Sequence, residues 1–113
     1  MLQTQSLERV LRKQVEVCKT LSNLHRLRIL HELRGREKTV GELSAATGLR
    51  QANVSQHLAL MRHSNIVVER RVGNSVFYRV KDDRIMEACD LMRTILLDQV
   101  SEDSKLVRAT RRN

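Results

Sequence analysis

Residues 66–81 break the pattern of everything around them. The runs IVVERRV and VFYRVK flank GNS and repeat with a period of two, whereas apolar residues elsewhere in the 113-residue chain recur at helical spacing. Two such runs about Gly73–Asn74 read as a β-hairpin. With no Pro, only four Gly and 2% aromatic residues, the rest of the chain argues against a turn-rich β sandwich. It reads instead as helices around an aliphatic core of Leu, Ile, Val and Met. The length is that of one domain. A monomer of this size buries a limited share of its surface, which favours oligomerisation.

Leu7, Val10, Leu11, Val15, Cys18 and Leu21 recur as a first amphipathic helix. Ser22 or Asn23 caps a second, with Leu24, Leu27, Leu30 and Leu33 inside and Gly35 as its stop. Thr39 stands three residues before Glu42, the spacing of a capping box, and opens a short third helix ending near Gly48. LRQA turns into a fourth helix with Val54, Leu58 and Met61 as its buried stripe. After the hairpin, Asp82 and Asp83 open a long last helix, where negative charge suits the N-terminal dipole. Its apolar residues (Ile85, Ala88, Cys89, Leu91, Met92, Ile95, Leu96, Leu97, Val100) cover more than one face. Such a helix is expected to touch its own core and a second partner. Residues 1–100 thus read as one folded domain and 101–113 as a flexible basic tail.

The fourth helix carries RQANVSQHL, residues 50–58, almost uncharged in a chain that is 30% charged. Amides and short hydroxyls read base edges in the major groove, while Arg and Lys hold phosphates. The chain carries a net charge of +8, and residues 50–81 concentrate it: Arg50, Arg62, Arg70, Arg71, Arg79 and Lys81 face a single acid, Glu69. Two helices joined by a tight Gly turn, the second uncharged-polar and followed by a basic hairpin, make a winged helix-turn-helix. The fold class is mainly α with a small β-hairpin wing (α+β): four helices, two strands, one helix.

The expected DNA-binding residues are Arg50, Gln51, Asn53, Ser55, Gln56, His57 and Arg62 on or beside the fourth helix. Arg70, Arg71, Asn74 and Ser75 are expected on the wing. Strand alternation puts Arg70 and Arg71 on opposite faces, so one of them is expected to reach DNA. His57 either faces DNA or caps the core stripe. The partner is double-stranded DNA, and the protein a sequence-specific regulator. The competing reading is a non-specific architectural DNA-binding protein, which has no need of uncharged amides on that helix.

No run reaches the ~18 apolar residues of a membrane span. MLQTQSLERV lacks the basic start and apolar stretch of a signal peptide. Cys18 and Cys89 are too few and too distant for a disulfide framework, so the chain reads as cytoplasmic. There is no Cys-x-x-Cys, nucleophile–base arrangement, Gly-rich phosphate loop or metal cluster, and neither enzymatic activity nor a cofactor is expected. His25, His31, His57 and His63 lack close metal-ligand spacing.

VGELSAATGLRQANVSQHLALMRHSNIVVERRVGNSVFYRV closely resembles the winged-helix core of the ArsR/SmtB family of bacterial and archaeal repressors. CKTLSNLHRLRILHEL is similar to the family's preceding helix, and the resemblance covers roughly residues 15–97. It implies a homodimer paired through the first and last helices, bound to an inverted-repeat operator and released by a signal. Family members usually carry a capping Ser where this chain has Arg50, which makes Arg50 a candidate phosphate contact. The family's thiol metal site would need Cys-x-Cys within GELSAAT, which has no thiol. Its other metal site corresponds to Asp83, Ile85, Leu96 and Gln99, of which only Asp83 is a ligand type. The thiol pair of persulfide-sensing members would fall at His31 and about Leu97. What remains is Cys18 and Cys89, which either pack as small apolar residues or sense an oxidant or thiophilic metal ion.

Overall fold

The computed structural model describes residues 2–112. Its elements run α1 (Leu2–Leu21), α2 (Leu24–Glu32), α3 (Val40–Thr47), α4 (Gln51–His63), β1 (Val67–Val72), β2 (Ser75–Val80) and α5 (Arg84–Arg112). This is the order expected from the sequence. The chain divides into two units, one up to Asp83 and a second formed by α5.

Local chemistry explains the boundaries of the first unit. Asn23, rather than Ser22, caps α2 by accepting from the Arg26 backbone N–H at 3.1 Å, while the Ser22 hydroxyl donates to Cys18 O. Thr39 and Glu42 form both halves of the capping box on α3. Gly48 ends α3 in the left-handed region at φ 75°, which Gly adopts without steric cost. The end of α4 carries a signal that sequence reasoning missed. Asn65 takes φ 60°, its N–H bonds Arg62 O, and the Ile66 N–H bonds Met61 O at 2.8 Å. That is a Schellman turn built on Asn instead of Gly, closed by buried Ile66 against buried Met61.

The core comprises Ile29, Leu30 and Leu33 of α2 and its cap, Leu43 of α3, Val54, Leu58 and Met61 of α4, and Ile66, Val67 and Val80 at the base of the hairpin. The α4 stripe is the one expected. The α2 stripe is not: Leu24 and Leu27 are 62% and 40% exposed. On a helix, residues 26, 29, 30 and 33 share one face, and Leu24 and Leu27 fall on the other side of it. The α1 residues Leu7, Val10, Leu11 and Val15 are likewise exposed.

β1 and β2 pair antiparallel from Val67 opposite Val80 to Val72 opposite Ser75, leaving Gly73–Asn74 as a two-residue loop. Gly73 at φ 59° supplies the positive dihedral that a II′ hairpin needs first. Tyr78 also bridges Lys38 through two backbone hydrogen bonds, of 2.9 and 3.1 Å, and so ties the start of α3 to the wing.

In the second unit, α5 runs from Arg84 through Arg112. Leu91, Met92, Ile95, Leu96, Leu97 and Val100 of α5 are all exposed. Among the described residues, no helix is long and apolar enough to cross a membrane.

Candidate nucleic-acid interface

Val54, Leu58 and Met61 turn one side of α4 wholly inward, and this decides what the other side presents. With about 100° per residue, the positions opposite that stripe are Ala52, Gln56, Ala59 and His63, flanked by Asn53 and Ser55. All six are exposed. The face therefore offers an amide and the His63 imidazole along its centre line, an amide and a hydroxyl beside it, and the apolar side chains of Ala52, Ala59 and Leu60. Those are the groups that read adenine edges, other donors and acceptors, and thymine methyls in a major groove. Ala52 escaped sequence reasoning because an isolated Ala carries no polar signal. Gln51 is exposed but sits on the flank, its amide nitrogen 3.9 Å from where a Cβ on Gly41 would stand at the start of α3.

Arg50 precedes α4 in extended conformation, and its side chain makes no cap hydrogen bond. Two features that favour an anion therefore meet there: a helix N-terminus without a capping side chain and an exposed guanidinium.

The wing arginines differ from each other as strand alternation requires. Arg70 pairs across the sheet with Phe77, holds its guanidinium 5.3 Å from that ring, and forms an ion pair with Glu37 at 2.9 Å. Arg71 lies on the opposite face with Glu69, Tyr78 and buried Val67, the face that continues toward α4. There Arg62 of α4 reaches Glu69 Oε1 at 2.7 Å, and the Arg71 Nε stands 3.8 Å from the same oxygen. Burial, and then the Glu69 carboxylate, push the Tyr78 hydroxyl above its ordinary range. The tip residues Asn74 and Ser75 are exposed.

His57 departs from the exposed set. It is half-buried, its Nδ1 lies 3.3 Å from Arg26 Nη1, and its ring centroid is 6.0 Å from that of His25. Of its two expected positions, the structure gives the one beside the core stripe, because residue 57 falls on the flank of α4 that meets α2. Burial first, then Arg26 and His25, hold its imidazole below the usual histidine range.

Cys18 is exposed on α1 and Cys89 is half-buried on α5, both as free thiols. Among the described residues, no three His, Cys, Asp or Glu side chains gather as a metal site.

Comparison with known proteins places this geometry among regulators. Residues 25–68 match the model of the bacterial regulatory protein, arsR family. The uncharacterized HTH-type transcriptional regulator Rv0081 of Mycobacterium tuberculosis is 38% identical over 88 residues, 77% of each chain. The homodimeric winged helix-turn-helix DNA-binding domain of Mb0332 from Mycobacterium bovis, a possible ArsR-family regulator, superposes with a TM-score of 0.77 at 25% identity. That match covers 84% of this chain and 88% of that one. The transcriptional repressor BigR from Xylella fastidiosa gives a TM-score of 0.70 at 32% identity, covering 81% of this chain and 94% of that one.

Proposed function

The chain belongs to the arsR family of bacterial regulatory proteins, and we propose that it is a cytoplasmic homodimeric repressor that occupies an inverted-repeat operator and leaves it on a signal. Its family makes it a DNA-binding transcription regulator, so its chemistry is binding rather than catalysis. The observation that carries the proposal is the outward face of α4, where Gln56, Asn53, Ser55 and Ala52 are exposed opposite a fully buried stripe. In the proposed complex this face enters the major groove, Arg50 and Arg71 meet flanking phosphates, and the Asn74–Ser75 tip approaches the neighbouring backbone or minor groove.

Dimerisation through α1 and α5 is supported by their uncovered apolar residues, Leu7, Val10, Leu11 and Val15 on one and Leu91 to Val100 on the other, 48% to 65% exposed. The homodimeric state of the Mb0332 domain and the repressor function of BigR favour the same reading. A duplex selected by the protein from random sequence tests it. We expect a palindromic site bound by two chains, at least about a thousandfold tighter than random DNA. Equal affinity for both would return the architectural reading. A reporter whose transcription rises on binding would replace repression by activation.

The proposed signal is thiol-directed, an oxidant or a thiophilic metal ion acting at Cys18 and Cys89. Both lie on the helices proposed to pair, where a stimulus would alter the spacing of the two recognition helices. A Cys18→Ser, Cys89→Ser double variant should bind the operator and ignore such stimuli. Release identical to that of the parent would reduce both residues to packing.

A further inference from the structure

Glu69 is the sole acid among residues 50–81, in the middle of a surface that meets phosphates, and its side chain is only 23% exposed. One carboxylate oxygen takes Arg62 of α4 at 2.7 Å and faces Arg71 of the wing at 3.8 Å. Tyr78 is its partner across the hairpin on the same face, and the carboxylate helps to push the Tyr78 hydroxyl above its ordinary range. Through its backbone, Tyr78 holds Lys38, the residue before the Thr39 cap of α3. The recognition helix and the wing thus meet at one side chain, and the start of α3 is tied by backbone to the strand opposite it. We propose that Glu69 is a specificity-determining residue: it fixes the wing against the recognition helix and keeps Arg62 from gripping phosphates in arbitrary registers.

The physical logic is a competition. A phosphate that takes Arg62 must displace, or sit beside, a carboxylate of like charge. In the operator complex, base contacts fix the register and Arg62 stays paired. On random DNA nothing fixes the register, and a freed arginine would add an adaptable backbone contact. Glu69 therefore weakens random binding more than operator binding. This role rests on the sequence-specific reading above: a parent protein that does not distinguish selected from random duplex would refute both, whereas a discriminating parent whose ratio Glu69→Gln leaves unmoved would refute the role of Glu69 alone.

The test measures the binding of parent, Glu69→Gln, Glu69→Asp and Arg62→Gln to the selected duplex and to random duplex across a salt series, with folding checked by circular dichroism. Gln keeps the shape and removes the charge. We expect it to steepen the salt dependence on random DNA by about 0.9 and to tighten random binding about eightfold at 0.1 M salt. Operator affinity should stay within about twofold, and Asp should restore the parent ratio. Equal shifts on both duplexes, or none on either, would overturn the proposal. Arg62→Gln keeps the test decisive if the Glu69 variants do not fold. It should leave the random-DNA salt slope unchanged, and a flatter slope would show that Arg62 was already on phosphate.

Discussion

The hairpin makes a prediction about which of two adjacent arginines meets DNA. Arg70 is held on the outer face by Glu37 at 2.9 Å and by the Phe77 ring. Arg71 shares the face of Glu69 and is 73% exposed, with only a 3.8 Å approach to restrain it. A pair that long and exposed contributes close to nothing, so a phosphate can take Arg71 at little cost. Arg71→Ala should then remove one phosphate contact, flattening the log–log salt dependence by about 0.9. Raising salt from about 50 to 200 mM would cost the variant about 3.5-fold less affinity than it costs the parent. Arg70→Ala should keep the parent slope and instead lose about 0.5–1 kcal/mol of folding stability, from a surface ion pair and a cation–π contact. Fluorescence anisotropy on the selected duplex and urea unfolding separate the two. If Arg70→Ala flattens the slope and Arg71→Ala does not, the outer face of the wing meets DNA and the assignment of faces is wrong.

Base reading should follow position on α4. Gln56→Ala is expected to cost about 1–3 kcal/mol on the operator and to relax preference at one base pair, with Gln51→Ala costing less because Gln51 sits on the flank beside Gly41. Affinities for a set of singly substituted duplexes would reverse that order if α4 docks on its other flank. Thr39→Ala removes half of the capping box and should lower stability by about 1 kcal/mol in urea unfolding; an unchanged midpoint would mean that the α3 terminus is held by the Lys38–Tyr78 bridge alone. His57 has a folded pKa below its ordinary 6.5, so the unfolded chain binds its proton more readily. Its contribution to stability is full above about pH 6.5 and is lost as pH falls through that value toward the folded pKa. His57→Gln should flatten the stability profile below about pH 6.5, and an unaltered profile would place the titration elsewhere.

Much of this architecture could be read from residue types, because local chemistry enforces it. The Thr39–Glu42 spacing, the Gly73–Asn74 loop and the Val54, Leu58, Met61 stripe each have one low-energy outcome, and each was met. Other features needed three dimensions. The Lys38–Tyr78 bridge is made by backbone atoms, so no side-chain pattern announces it. Asn65 stands where Gly is usual, and its left-handed turn leaves only a weak signal. Leu24 and Leu27 look like core by hydrophobicity, yet the periodicity of α2 is set by Ile29, Leu30 and Leu33. The exposure of the α4 amides was legible because the buried Val54, Leu58 and Met61 stripe leaves them the outward side. The arginines were legible as charges but not as partners, since Arg62 and Arg70 find acids that are distant in sequence.

The Asn65 turn leaves three residues between His63, the last of α4, and Val67, the first of β1, and Ile66 is fastened on both sides, to Met61 and to Lys81. Recognition helix and wing therefore behave as the two jaws of a caliper with a locked gauge. The spacing of α4 and hairpin is written into the chain itself. A lengthened joint would let the jaws rock, trading discrimination for tolerance. In the proposed complex, new operator preferences are then reached through side-chain exchange at positions 52, 53, 55 and 56, while an insertion or deletion in the joint is expected to disturb helix and wing together.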